Sequence, residues 1–212
     1  MCRLPRRCTR AAPAGFVVCH RRVNSNVRAH YRSVVAEFVL ETPRLRARRV
    51  ESADVEAMLS VYGDLEVVRW VGNGEPFDRA LCERWVEITH ADYAKRGYGM
   101  FALVERQSGE VIGFGGLVHL YSQTEVELKY ALHRSRWGQG FATEAAAALL
   151  AYGAAQFGLT EIIAATAPEN EPSHRVLLRA GMLRGALRRL DDGTFTQLFV
   201  WQPAGTVAHS AP

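Results

Sequence analysis

The chain has 212 residues, 48% hydrophobic and 23% charged, with a formal net charge of +4. That length suits one domain with a sizeable core, and no apolar run reaches the ~18 residues that a membrane helix needs. The charge is uneven. Residues 1–33 carry eight arginines and no acid, which leaves 18 basic against 22 acidic residues in the body, a net −4. Nucleic-acid binding needs basic residues clustered on a folded surface, so no nucleic-acid partner is expected.

Three of the four cysteines, Cys2, Cys8 and Cys19, share that basic segment, and only Cys82 belongs to the body. No ligand-spaced Cys/His cluster occurs, so neither a metal site nor a disulfide framework is expected, and the compartment reads as cytoplasmic. The Arg-rich start resembles a transit peptide but is poor in Ser and has no helical apolar stripe. As a secretory signal it fails, because the patch Ala11 to Val18 is short and no small-residue cleavage site precedes His20. Residues 1–36 are therefore expected to be a disordered basic extension, with a misassigned start codon as one source, and 204–212 a disordered tail. The folded domain is expected over 37–203.

Phe38 to Val50 alternates apolar and charged residues after Pro43, suiting a half-exposed first strand. Ser52 is placed to cap a helix from Asp54 to Tyr62 that buries Val55, Met58 and Leu59. A second helix starts at Asp78 and stops at Gly97, with Leu81, Trp85, Ile88 and Asp92 at helical spacing. Three strand-like runs follow, Tyr98 to Arg106, Val111 to Leu120 and Glu125 to His133. Ser108-Gly109 and Ser122-Gln123 at their joins predict an antiparallel meander, and Gly113, Gly115 and Gly116 read as strand glycines permitting a bulge. A helix Ala142 to Phe157 ends at Gly158. A strand Glu161 to Ala167, a helix Ser173 to Ala180, and strands Met182 to Leu190 and Phe195 to Trp201 complete the chain, the last two joined at Asp192-Gly193. The pattern predicts an α+β layer fold.

The chemistry concentrates where the third meander strand meets the Ala-rich helix. Trp137-Gly138-Gln139-Gly140-Phe141-Ala142-Thr143 puts two glycines immediately before a helix start. Glycines let the backbone approach a ligand, and the unpaired N–H groups of a first helical turn attract phosphate oxygens. A dinucleotide-binding fold would want this loop after the first strand of a parallel unit, with an acid ending the second. Here it follows an antiparallel meander, and Glu161 precedes its strand.

This loop resembles the acetyl-CoA pyrophosphate loop of the GNAT superfamily, particularly its RimJ/RimL-like branch. Glu41-Thr42-Pro43-Arg44-Leu45-Arg46 resembles that branch's opening strand, and Glu127-Leu128-Lys129-Tyr130 its acid-bearing strand. Pro168 to Val176, followed by Ala180-Gly181-Met182, resembles its later loop, helix and turn. The likeness covers residues 38–202. It implies a mostly antiparallel sheet of about six or seven strands with about four helices, splayed between the strands 125–133 and 161–167. It implies acetyl-CoA as co-substrate, no metal, and pantetheine paired along the Glu127 strand like an added strand. A bulge near Leu128 to Ala131 would free backbone N–H groups. Leu128, Tyr130, Leu132, Trp137 to Thr143, Asn170 and Ser173 are the implied coenzyme contacts. The wider superfamily has Arg or Gln where Trp137 stands, so phosphate binding would rest on the backbone.

Acyl transfer needs a neutral amine, a stabilised oxyanion and a proton for the thiolate. An α-amine, titrating near about 8, needs less help than a lysine near about 10.4. Glu127 is the candidate base, or an orienting carboxylate. Many relatives use a Tyr of the last helix as the thiolate's acid; this chain has Leu177 and Leu178 there, so Ser173 is the substitute, or simply the cap of a helix starting at His174. Asn170 either bonds pantetheine or makes an Asx turn. His119, His133 and His174 lack an orienting acid at readable spacing. Trp70, Trp85, Tyr93 and Tyr98 fall in the region that walls the acceptor in relatives. The expected partners are an amine acceptor and a second copy of the chain, with no membrane. A non-catalytic acyl-CoA-binding module and transfer of another acyl group, such as succinyl, are the alternative readings.

Overall fold

The computed structural model describes residues 37–120 and 124–203. The expected basic extension, the C-terminal tail and the Ser122-Gln123 turn lie outside the described residues. One mixed sheet carries eight strands in the order β1 (Phe38–Glu41), β2 (Leu45–Arg49), β3 (Met100–Glu105), β4 (Val111–Val118), β5 (Glu127–Leu132), β6 (Ile162–Thr166), β8 (Phe195–Trp201) and β7 (Leu183–Arg189). All neighbours are antiparallel except β5 and β6.

The sheet exceeds the expected six or seven strands because the first alternating run folds back on itself. The Thr42 N–H reaches the Leu45 carbonyl at 2.8 Å, the Leu45 N–H reaches Thr42 Oγ1 at 2.9 Å, and the two bonds close a turn at Pro43. One strand becomes the hairpin β1–β2. Five α-helices are present among the described residues: α1 (Val55–Tyr62), the single turn α2 (Leu65–Val68), α3 (Arg79–Arg96), α4 (Phe141–Phe157) and α5 (Glu171–Arg179). The turn α2 was not legible because four residues carry no helical period.

Two apolar clusters separate the helices by sheet face. Alternation sends Met100, Ala102, Phe114, Val118 and Ala131 to the cluster with α1, α2 and α3. Phe101, Leu103, Ile112, Leu117, Leu128 and Leu132 join the cluster with α4 and Leu177 of α5. Capping follows the sequence at α3, where Asp78 accepts the Leu81 N–H and Gly97 closes the helix at φ 83°. Ser52 does not cap α1; it begins a 3-10 turn (Ser52–Asp54), and Asp54 accepts the Glu51 N–H at 2.8 Å.

The buried face of α3 is one residue out of register with the expected one. Cys82, Val86, Thr89 and Tyr93 are buried, whereas Leu81 and Ile88 are exposed. Both stripes have helical spacing, and the apolar content of α3 does not distinguish them; packing against α1 and the sheet does.

The strand glycines are steric necessities. A Cβ on Gly116 would lie 2.1 Å from the Gly99 carbonyl, and one on Gly113 2.4 Å from that of Ala131. The register of β3 on β4 shifts beside Gly113, the bulge expected there. Val86→Ala should lower unfolding free energy by roughly 1–3 kcal/mol, and Ile88→Ala by less than about 0.5 kcal/mol. Urea unfolding checks this; equal costs would refute the assigned face.

Candidate functional site

Parallel strands β5 and β6 meet at one point and then part. They share one register pair, Glu127 with Ile163, and the Ile163 N–H bonds the Val126 carbonyl at 2.9 Å. Beyond it, alternation turns the N–H groups of Tyr130 and Leu132 toward β6, where no ladder partner exists. The opposite edge of β5 pairs with β4 without a break from Glu127 to Leu132. The bulge expected near Leu128 to Ala131 is therefore absent. Divergence of the strands, rather than a bulge, frees the N–H groups.

The glycine loop sits at the wide end of this wedge. Gly138 and Gly140 take φ of 74° and 82°, left-handed values that favour glycine. The Glu144 N–H to Gly140 carbonyl bond, 3.1 Å, is the first of α4. The N–H groups of Phe141, Ala142 and Thr143 thus have no helical partner, and a helix dipole adds partial positive charge beside them. Nothing lies within 4 Å of a Cβ built on Gly138, so the loop's outer face is open. These features fit a pyrophosphate.

Side chains hold the loop rather than occupy it. The Trp137 indole donates to the Leu132 carbonyl at 2.9 Å, and Gln139 Nε2 donates to the Ser135 carbonyl at 2.8 Å. Arg136 pairs with Glu105 at 3.0 Å and with Glu110 at 3.3 Å. A further anchor comes from the β1–β2 turn. Glu144 Oε1 accepts from Thr42 Oγ1 at 2.6 Å and Arg44 N–H at 2.9 Å, and its Oε2 accepts from Arg44 Nε at 2.7 Å. Burial pushes the Glu144 carboxyl up, but the bonds from Thr42 and Arg44 outweigh it and hold the group below its ordinary value.

Glu127 lies at the closed end, 1% exposed. Its Oε1 accepts the Ala165 N–H across the wedge at 3.1 Å and pairs with Lys129 Nζ. Oε2 makes no hydrogen bond to a described residue. By alternation Glu127, Lys129 and Ala131 point to the α1–α3 face, and Tyr130 to the α4–α5 face.

Ser173 and Tyr130 meet on that second face, their hydroxyls 2.7 Å apart. Desolvation pushes the Tyr130 phenol up to about 12, with the Ser173 bond pulling slightly the other way. Ser173 is not a cap. The helix starts two residues earlier than expected, at Glu171, and Asn170 is its N-cap, accepting the Ser173 N–H at 3.2 Å. The Pro at the second helical position suits that earlier start.

The three histidines are engaged elsewhere. His174 is buried, and its Nδ1 faces Arg184, which can only donate, so Nε2 carries the proton toward Thr166 Oγ1 or the Ala167 carbonyl. His119 bonds the Tyr98 hydroxyl, and His133 bonds Ser135. Tyr93, Tyr98 and Trp85 pack with the two cores, and Trp70 is 39% exposed beside Arg69.

Against this geometry, the model of the acetyltransferase (GNAT) domain matches residues 44–183. The chain belongs to the GNAT family of N-acetyltransferases. An uncharacterized N-acetyltransferase of Bacillus subtilis, YoaA, is 31% identical over 156 residues, covering 71% of this chain and 86% of that one. An acetyltransferase structure from Agrobacterium tumefaciens is 26% identical, with a TM-score of 0.67 over 77% of this chain and 93% of that one. RimJ of Mycobacterium smegmatis, solved with a CoA-disulfide, shares the fold at 22% identity and a TM-score of 0.60, covering 75% and 82% of the two chains. Among the described residues no group of three or more His, Cys, Asp and Glu is placed to hold a metal, and no helix is long and apolar enough to cross a membrane.

The raised Tyr130 phenol favours the neutral form in the folded state, so its contribution to stability is complete below pH ~10 and lost as pH rises from there through about 12. The stability difference between wild type and Tyr130→Phe should be constant up to pH ~10 and then shift against wild type. Thermal unfolding of both proteins against pH measures it; a difference flat to pH 12 would refute a buried phenol.

Proposed function

We propose that the protein transfers an acetyl group from acetyl-CoA to a primary amine, either a protein N-terminal α-amine or a small-molecule amine, by direct attack in a ternary complex. The observation that carries this reading is the wedge itself, with a cradle of free backbone N–H groups at its open end and polar groups on both faces near its closed end. Pantetheine lies along β5 on the N–H groups of Tyr130 and Leu132, and the pyrophosphate rests on residues 138–143. The CoA-disulfide bound to the RimJ relative supports that choice of ligand.

The amine approaches from the α1–α3 face, where Glu127 Oε2 accepts its proton directly or through water. Bonds to Ala165 and Lys129 fix the carboxylate through Oε1, so the orientation of Oε2 is set before substrate arrives. The amine nitrogen attacks the thioester carbon, the C–S bond breaks, and the thiolate leaves toward the α4–α5 face. There the Ser173 hydroxyl, held by Tyr130, hydrogen-bonds the departing thiolate; the thiolate takes its proton from water, and Glu127 returns the amine proton to solvent. Among the described residues a covalent acetyl-enzyme has no accessible thiol to form on: Cys82 is buried on α3 in the apolar cluster, and burial pushes its pKa up. A buried free thiol also suits a reducing, cytoplasmic setting.

Gly140→Asp should abolish CoA binding, since it places a carboxylate at the cradle while Asp tolerates left-handed backbone. Unchanged affinity by calorimetry in a folded variant would misplace the coenzyme site. Glu127→Gln keeps shape and loses basicity, so kcat/KM on a reactive amine should fall roughly 10²–10⁴-fold at neutral pH and recover as pH approaches the amine's own pKa. A wild-type to variant ratio that stays flat from pH ~6 to ~9.5 would leave Glu127 an orienting group.

A further inference from the structure

We infer that Arg44 belongs to the coenzyme site: it fixes the glycine loop and donates its remaining guanidinium nitrogen, Nη2, to a phosphate of the coenzyme. This rests on residues 138–143 being the pyrophosphate loop. Arg44 comes from the β1–β2 turn, about a hundred residues away in sequence, and its three guanidinium nitrogens are differently engaged. Nε bonds Glu144 Oε2 at 2.7 Å, and Nη1 bonds the Gln139 carbonyl at 2.8 Å, inside the loop. Nη2 makes no hydrogen bond to a described residue, and it lies 3.4 Å from where a Cβ on Gly140 would be. The guanidinium stacks on the Phe141 ring at 4.4 Å, which sets its plane, and the side chain is 47% exposed. A planar fork held at two corners, with its third beside a left-handed glycine and open to solvent, is suited to an anion.

Charge gives a second, independent argument. Glu144 stands in the first turn of α4, where its carboxylate would repel a pyrophosphate bound at the same helix start. The Arg44 guanidinium cancels that charge, and the bonds from Thr42 and Arg44 draw both carboxylate oxygens toward the β1–β2 turn. Loss of Arg44 therefore removes a phosphate donor, frees the loop carbonyl and exposes an acid beside the phosphates.

The test measures CoA and pantetheine, which lacks all phosphates, by calorimetry on wild type, Arg44→Ala, Arg44→Lys and Arg44→Ala/Glu144→Gln. Arg44→Ala should weaken CoA by roughly 10- to 100-fold while leaving pantetheine within about threefold. The double variant should regain part of the CoA loss, because the exposed acid is gone. Arg44→Lys, which retains charge but not the fork, should fall between, and it carries the test if Arg44→Ala does not fold. Equal losses for CoA and pantetheine, or no recovery in the double variant, would reduce Arg44 to a structural clamp and overturn the proposal. A wild type that binds CoA no better than pantetheine would instead overturn the phosphate-loop reading on which this rests.

Discussion

Two parallel strands bonded at one end and apart at the other set everything else in this molecule. A parallel pair normally satisfies its ladder along its whole length, because buried N–H and C=O groups without partners are costly. Here β5 keeps its other edge fully paired with β4, while its edge toward β6 is paired only at the Glu127–Ile163 register position. The Glu127 carboxylate extends that contact by one register position, taking the Ala165 N–H that the ladder can no longer serve. A side chain thus stands where a backbone carbonyl would in a continuous sheet. Beyond it the exposed edge of β5 is available to another extended chain.

The same divergence distributes the polar groups. Side chains alternate across β5, so Glu127 and Lys129 belong to the face under α1–α3 and Tyr130 to the face under α4–α5. In the proposed reaction, entering amine and departing sulfur are served from opposite sides of one strand. The glycine loop follows β5 after a single 3-10 turn, Arg134–Arg136, so strand and turn together set its distance from Glu127. Trp137, Gln139, Arg136 and Arg44 each tie that loop to something rigid. Because these ties use side chains, the loop's own N–H groups are left for a ligand.

The hydrogen-bond partners also decide between roles that residue type leaves open. A histidine in a loop helix is a plausible base until Arg184 is found against its Nδ1, after which its proton has a fixed place. A serine near a helix start is a plausible cap until Asn170 is seen capping that helix, which leaves the serine hydroxyl for Tyr130. Trp137 opens the glycine loop, and its indole is spent on the Leu132 carbonyl rather than left for a ligand.

What the sequence by itself determined is what local chemistry governs. Gly138 and Gly140 before a helix, Asp78 and Gly97 at the ends of α3, and the three strand-like runs of the meander with the turn residues between them all act within a few residues, so local pattern and turn chemistry reveal them. The glycine loop, the antiparallel meander and the family resemblance were legible for that reason. Tertiary structure decided the rest. It folded the first run into β1–β2, chose the 82, 86, 89, 93 stripe of α3 over its neighbour, kept β5 free of the expected bulge, and brought Arg44 and Thr42 to Glu144 across about a hundred residues. Those outcomes depend on which surfaces meet. An Arg two residues after a Thr has no pattern that names its partner, and only the packing of the first hairpin against α4 supplies one.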